Sequence, residues 1–112
     1  MNNVKIGSFY KTQINGKMEF GIVDRLPMVD GVEMVSFLYS HEFMWAGKLC
    51  RKEDMSEVHG DEREKAMKSA IRYWVYEIES LENRIAMEYA DDDIEKLKTL
   101  LATSKVWLAR LK

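Results

Sequence analysis

The sequence is 112 residues long, with 46% hydrophobic and 32% charged residues and a formal net charge of -2. This balance is typical of one globular domain and excludes a disordered chain, and no stretch approaches the roughly 20 apolar residues that span a bilayer. The single cysteine, Cys50, excludes an intramolecular disulfide and a four-cysteine zinc site. The slightly acidic balance also disfavours duplex nucleic acid as a partner.

The first half, residues 1–60, is predicted to form a small antiparallel β-sheet that is curled or SH3-like. Asn15-Gly16 favours a type I′ turn, because both of its central positions need positive φ, and would join strands over Ser8–Ile14 and Lys17–Val23. In that register one face of the hairpin holds most of its apolar side chains, and we predict it to be the core face. Its residues are Phe9, Met18, Phe20 and Ile22.

Further strands follow at short intervals. Asp30-Gly31 predicts a second tight turn, followed by a strand over Val32–Tyr39 that is rich in β-branched and aromatic residues. Two more strands are predicted over Glu42–Ala46 and Lys48–Arg51, with a break at Gly47. Short antiparallel strands joined by tight turns are typical of a small curled sheet or barrel.

The second half is predicted to be helical, since neither glycine nor proline occurs after Gly60. Asp61, with Glu64 three residues later, resembles a capping box, so a helix is expected to begin there and to end near Ala90. Apolar residues recur along it at heptad spacing. They are Met67, Ile71, Trp74, Ile78, Leu81 and Ile85.

A second helix is predicted from about Asp92 to Lys112, after the acidic cluster Asp91-Asp92-Asp93, which favours a helix N-terminus. The short connection predicts an antiparallel hairpin in which Trp74 faces Leu108. The chain is therefore expected to be one α+β domain, with a β subdomain (residues 1–60) and a helical hairpin (residues 61–112). Apolar residues outside the hairpin seam indicate that the helices also contact the β half or another subunit, and we expect a homodimer or higher homo-oligomer with the helices as its interface.

The residues suited to nucleophilic or metal chemistry are few. They are Cys50 in a predicted strand, His41 in a predicted turn and His59 in the linker between the two halves. Their spacing matches no metal motif, and no P-loop, G-x-G-x-x-G or G-x-S-x-G sequence occurs. We therefore expect no catalytic centre, no metal and no cofactor.

The hairpin end where the first helix begins is predicted to be basic, because antiparallel folding brings the end of the second helix to it. The candidate anion-binding residues are Lys65, Lys68, Arg72, Tyr73, Lys105, Trp107 and Arg110, with Lys112 close by. Guanidinium groups bind phosphate in a bidentate manner, and the aromatic rings offer faces for a base. The alternative is that these cations complement a helix C-terminus and are partly neutralised by Glu62 and Glu64.

The layout joins a compact β half, IGSFYKTQINGKMEFGIVD, to a helical hairpin, AIRYWVYEIESLENRI and DDDIEKLKTLLATSKVWLARL. It resembles the small accessory proteins encoded by bacteriophages, and among these it is similar to anti-defence proteins that sequester cyclic nucleotide signals. The resemblance covers the whole chain in its architecture and implies no particular functional residue.

Two functions are compatible with these features. One is a non-enzymatic, phage-type anti-defence protein that acts on a host factor through protein–protein contacts. The other is a small-molecule binder that sequesters an anionic nucleotide, linear or cyclic, at the basic end of the hairpin. The N-terminal residues MNNVKIGSFYK lack the pattern of a secretory signal, so we expect a cytoplasmic protein, in the host cytoplasm if phage-encoded.

Overall fold

The computed structural model describes residues 3–42, 44–87 and 93–112. Within these residues a five-stranded antiparallel sheet is followed by two helices, which confirms the predicted α+β class with a helical hairpin. The strands are β1 (Phe9–Ile14), β2 (Lys17–Arg25), β3 (Met28–Val29), β4 (Val32–Glu33), β5 (Val35–His41), β6 (Met44–Cys50) and β7 (Ser56–Glu57). A short 3-10 helix, Lys52–Asp54, precedes β7, and the helices are α1 (Asp61–Met87) and α2 (Ile94–Leu111).

The β1–β2 hairpin forms as its turn residues predict. Asn15 and Gly16 both adopt positive φ, 53° and 77°, as a two-residue type I′ turn requires. The predicted register is confirmed, with Phe9 opposite Ile22 along the paired strands. A second turn at Asp30-Gly31, also with positive φ at both positions, joins β3 to β4 as a separate two-stranded ribbon.

The sheet has the strand order β6-β5-β2-β1-β7, and two of the predicted strand boundaries are wrong. The strand predicted over Val32–Tyr39 is divided into β4 and β5. Gly47 does not break a strand but lies inside β6, opposite Leu38. A Cβ at position 47 would come within 3.0 Å of Leu38 Cδ2, so glycine serves here to let a side chain approach the backbone closely.

The larger core lies on one face of the sheet and includes Phe37, Val23 and Val35, all fully buried. The face predicted as the core face, that of Phe9, Met18, Phe20 and Ile22, is the opposite one. On it Ile22 is fully buried, whereas Met18 is 41% exposed. The prediction fails because both faces of the sheet are covered, so the alternation of side chains does not identify which face holds the larger core.

The helices cover this second face. Ile22 and Leu38 of the sheet form a buried cluster with Ala70 and Trp74 of α1, which begins at Asp61 as predicted. The helices belong to the same layer, because Trp107, Leu108 and Leu111 of α2 pack against that cluster. Of the predicted heptad stripe, Trp74 and Leu81 are buried, whereas its other members are only partly buried; the remaining buried residues of α1 lie outside the stripe and are Ala66, Ser69 and Ala70.

The start of α2 is fixed by a capping side chain. The Asp93 carboxylate accepts a hydrogen bond from the backbone N–H of Lys96 over 3.2 Å, as an N-cap does. Asp91 and Asp92, and the end of the first helix predicted near Ala90, lie outside the described residues. Neither helix, over the residues that are described, is long and apolar enough to cross a membrane.

Candidate anion-binding site

A cavity of about 330 Å³ lies where α1 meets the sheet, lined by residues of β2, β5 and α1. Four of its lining side chains are cationic: Lys17, Lys65, Lys68 and Arg72. The last three are at positions i, i+3 and i+7 of α1, so they share one flank of the helix. Lys17 joins them because it is the first residue of β2, directly after the tight turn. A local turn and a helical repeat thus place four positive charges around one space.

Carboxylates neutralise little of this charge. Glu19 is buried among the lining residues and contacts His41, whose Nε2 lies 2.6 Å from Glu19 Oε2. Lys68 is 3.7 Å from Glu64, but both side chains are more than two-thirds exposed, so water screens the pair. Within the described part of the chain, no carboxylate lies within 4 Å of Lys17 or Arg72. The cavity is therefore basic.

The wall between α1 and β5 is held by two buried serines. The backbone N–H of Ser40 donates to Ser69 Oγ over 2.8 Å, and Ser40 Oγ donates to the carbonyl oxygen of Ser69 over 2.7 Å. Because buried polar groups are costly to leave unpaired, these reciprocal bonds fix α1 against β5. The cationic flank of α1 is thus held at a set distance from the sheet.

The cavity also has an apolar part. The Phe20 ring lines it, and the Lys65 ammonium lies 5.5 Å from the ring centroid in a cation–π contact. Met18 lies beside it and is 41% exposed. Cationic groups next to an accessible apolar surface suit a ligand that combines an anionic group with a planar or apolar one.

The remaining predicted site residues lie elsewhere. Trp107 of α2 stacks on Trp74 at 5.6 Å, with ring planes 8° apart, and Arg110 lies 5.4 Å over the Trp107 ring. Tyr73 meets the edge of Trp74 at 4.9 Å, and burial raises the pKa of its hydroxyl. Lys105 and Lys112 are exposed. Tyr73, Trp74 and Trp107 thus form an aromatic group, capped by Arg110, where the sheet, α1 and α2 meet.

The predicted basic end is thus two separate groups in the structure. Among the described residues, those that line the cavity come from β2, β5 and α1, so Lys65, Lys68 and Arg72 are gathered there without any α2 side chain. The cause is the sheet, which packs on one flank of α1 while α2 packs on another. The sequence prediction considered only how the two helices pair with each other, so it did not include the sheet.

Sequence reasoning missed Lys17 and the contribution of His41, which was expected to be only a turn residue. The register between β2 and β5 would have indicated the position of His41. Gly21 pairs with Tyr39 in the β2–β5 ladder, and two residues further along the same register Glu19 meets His41. Pairing β2 with the strand over Val35–His41 would therefore have placed the histidine beside the basic flank.

Within the described structure, Cys50, His41 and His59 have different surroundings. Cys50 is a buried thiol whose pKa is raised by that burial, and His41 is engaged by Glu19. His59 is exposed next to the first turn of α1, where its backbone carbonyl accepts from the N–H of Glu62. Across the described ranges, no group of three or more His, Cys, Asp or Glu side chains is placed to hold a metal ion.

No family model matches the chain, and neither the curated proteins nor the solved structures give a match. The resemblance to phage accessory proteins therefore stays a prediction. Fold and site together define a small α+β protein with a basic cavity at the junction of its first helix and its sheet.

Proposed function

We propose that this protein is a non-enzymatic binding protein that holds a small phosphate-bearing ligand in the cavity between α1 and the sheet. The observation that supports it is the grouping of Lys17, Lys65, Lys68 and Arg72 around one space whose only lining carboxylate, among the described residues, is engaged by His41. Such a protein acts by sequestration, lowering the free concentration of its ligand without altering it.

The ligand class follows from the size and lining of the cavity. A volume of about 330 Å³ is at the lower end of the usual range for small-molecule sites, so it suits a mononucleotide or a small cyclic nucleotide rather than a polymer. Arg72 presents a planar fork that binds phosphate oxygens in pairs, while the lysines act as point charges. Phe20 supplies the apolar surface against which a base packs.

The resemblance to phage anti-defence proteins points to the same ligand class. A protein that sequesters a cyclic nucleotide signal needs a cationic cavity and no catalytic group, and it works in the cytoplasm where the signal is made. The net charge of -2 fits a small ligand, because attraction to an extended polyanion would require positive charge over a larger surface.

Isothermal titration calorimetry against a panel of linear and cyclic nucleotides tests the proposal. We expect at least one nucleotide to bind the wild type, and Arg72→Glu to weaken that binding by at least about tenfold, since a charged hydrogen bond is worth roughly 1.5–3 kcal/mol. Arg110→Glu is the matched control, because the same charge reversal on α2 leaves the cavity lining unchanged.

Two results would count against the proposal. One is that no nucleotide binds the wild type; the other is that the two arginine variants lose affinity equally. Both variants are expected to melt within a few degrees of the wild type, because Arg110 is exposed, Arg72 is only partly buried, and neither is within 4 Å of a described carboxylate. The melting curves thus separate loss of binding from loss of fold.

A second candidate function is the binding of a host protein, favoured by the β3–β4 ribbon. This ribbon pairs within itself, and its Met28 and Val32 side chains are 64% and 58% exposed. Exposed apolar side chains grouped on one ribbon are typical of a protein contact surface. If nucleotides do not bind and Val32→Lys abolishes activity in a cell-based assay while Arg72→Glu does not, this function is the better one.

A further inference from the structure

The outer edge of β6 is the longest strand edge that the described sheet leaves open. Over the described residues, β6 pairs only with β5 and β7 pairs only with β1, so these two strands end the sheet. β7 has two residues, whereas β6 has seven. Alternate N–H and C=O groups along β6 therefore point outward, ready to pair with another strand.

The side chains of β6 complement themselves about Gly47. Trp45 and Leu49 lie on the same side of the strand, two residues before and two residues after Gly47, and they are 38% and 49% exposed. An antiparallel pairing of two β6 strands about a two-fold axis at Gly47 sets Trp45 of one copy opposite Leu49 of the other, twice. Aromatic–aliphatic cross-strand pairs of this kind stabilise sheets.

Charge complements the same arrangement. At the Trp45 end the indole Nε1–H donates to Glu77 over 2.8 Å, and Glu42 is exposed nearby in the chain, so this end is acidic. At the Leu49 end the exposed cations Lys48 and Arg51 lie in and directly after β6, and the exposed carboxylates Glu53 and Asp54 follow in the 3-10 helix. The two-fold pairing brings the acidic Trp45 end of each copy towards Lys48 and Arg51 of the other, whereas a parallel pairing would bring the two Trp45 ends together.

We propose that β6 binds β6 of a second copy of this chain in antiparallel register centred on Gly47, joining the two five-stranded sheets into one. This interface differs from the helical one expected from the sequence and is independent of the proposed anion site. An extended peptide from another protein is the competing occupant of the edge.

Sedimentation velocity over a concentration series tests the interface. We expect the wild type to dimerise, and Leu49→Glu to raise the dimer dissociation constant by at least about tenfold, because it places a negative charge against Trp45 and the acidic Glu77 of the second copy. Leu100→Glu is the matched control, since Leu100 is 44% exposed but lies on α2. A wild type that stays monomeric at about 100 µM overturns the proposal. Dissociation by Leu100→Glu but not by Leu49→Glu also overturns it, in favour of the helices.

A disulfide trap tests the register itself and does not depend on how Leu49→Glu folds. In the double variant Trp45→Cys, Leu49→Cys, the two new thiols of one chain are about 13 Å apart along the strand, too far to bond to each other. In the proposed dimer, position 45 of one chain lies opposite position 49 of the other chain. Mild oxidation should therefore give a covalent dimer on a non-reducing gel. The wild type and Trp45→Cys alone should not, and crosslinking of Trp45→Cys as efficiently as of the double variant contradicts the Gly47-centred register.

Discussion

An ion pair joins the first strand to the first turn of α1. Lys11 Nζ lies 2.7 Å from Glu62 Oε2, and this hydrogen bond is the main reason that the pKa of Glu62 is lowered from its ordinary value of 4.5. Folding therefore favours the ionised carboxylate, as does its place near the N-terminus of a helix. The contribution of Glu62 to stability is present above the unfolded-state pKa and is lost as pH falls through the folded-state pKa.

We predict that Glu62→Gln lowers the free energy of unfolding near neutral pH and that its difference from the wild type closes as the solution becomes more acidic than the ordinary Glu pKa of 4.5. Urea unfolding at a series of pH values measures this difference. Glu64→Gln is the control, because Glu64 is 3.7 Å from Lys68 and both side chains are largely exposed. Equal effects of the two substitutions at every pH would contradict the prediction.

At the scale of elements, Trp74 of α1 contacts both the sheet and α2. It is 5% exposed, shares a cluster with Ile22 and Leu38 of the sheet, and stacks on Trp107 of α2. Leu108, which the heptad spacing placed opposite Trp74, packs against the same cluster. One side chain therefore contributes to both the α1–sheet and the α1–α2 contacts.

Trp74→Ala is predicted to lower the free energy of unfolding by about 3–5 kcal/mol, the usual loss when a buried large aromatic side chain is removed. Trp107→Ala should cost less, because Trp107 is only half-buried. Val106→Ala, at a residue that is 51% exposed on the same helix, should stay within about 0.5 kcal/mol. Urea denaturation ranks the three variants, and a Trp107→Ala cost equal to that of Trp74→Ala would show that the helices, not the sheet contact, dominate.

For the whole molecule, the central fact is that two cores share the same two strands. Val23 and Phe37 belong to the core on one face of the sheet, while Ile22 and Leu38, their neighbours in the chain, belong to the cluster under α1. Neither core can come apart without disturbing β2 and β5. The helices and the sheet are therefore coupled through the strands themselves.

We predict a single cooperative unfolding transition in urea. Far-UV circular dichroism reports the helices, and tryptophan fluorescence reports the α1–α2 layer through Trp74 and Trp107, so the two midpoints should coincide. Trp45→Phe removes the signal of the tryptophan on the sheet edge and sharpens the comparison. Fluorescence that changes at a lower urea concentration than circular dichroism would mean that the hairpin detaches first.

Much of the local structure followed from the sequence. Asn15-Gly16 and Asp30-Gly31 supplied positive φ at both central positions, which set the turns and the β1–β2 register. The heptad spacing included two of the buried residues of α1, Trp74 and Leu81, and Asp93 capped α2 within the cluster predicted for that role. The i, i+3, i+7 spacing of Lys65, Lys68 and Arg72 also puts three of the four cations that line the cavity on one helix flank.

The tertiary structure decided the rest. It determined that both sheet faces are covered, that Gly47 lies within a strand, and that Lys17 and His41 join the α1 cations while Arg110 does not. The physical reason is the range of the interactions. Backbone φ, capping hydrogen bonds and helical periodicity are set by residues within a few positions of one another, so the sequence alone determines them. A cavity between β2, β5 and α1 depends on which distant elements become neighbours, and only the packed chain determines that.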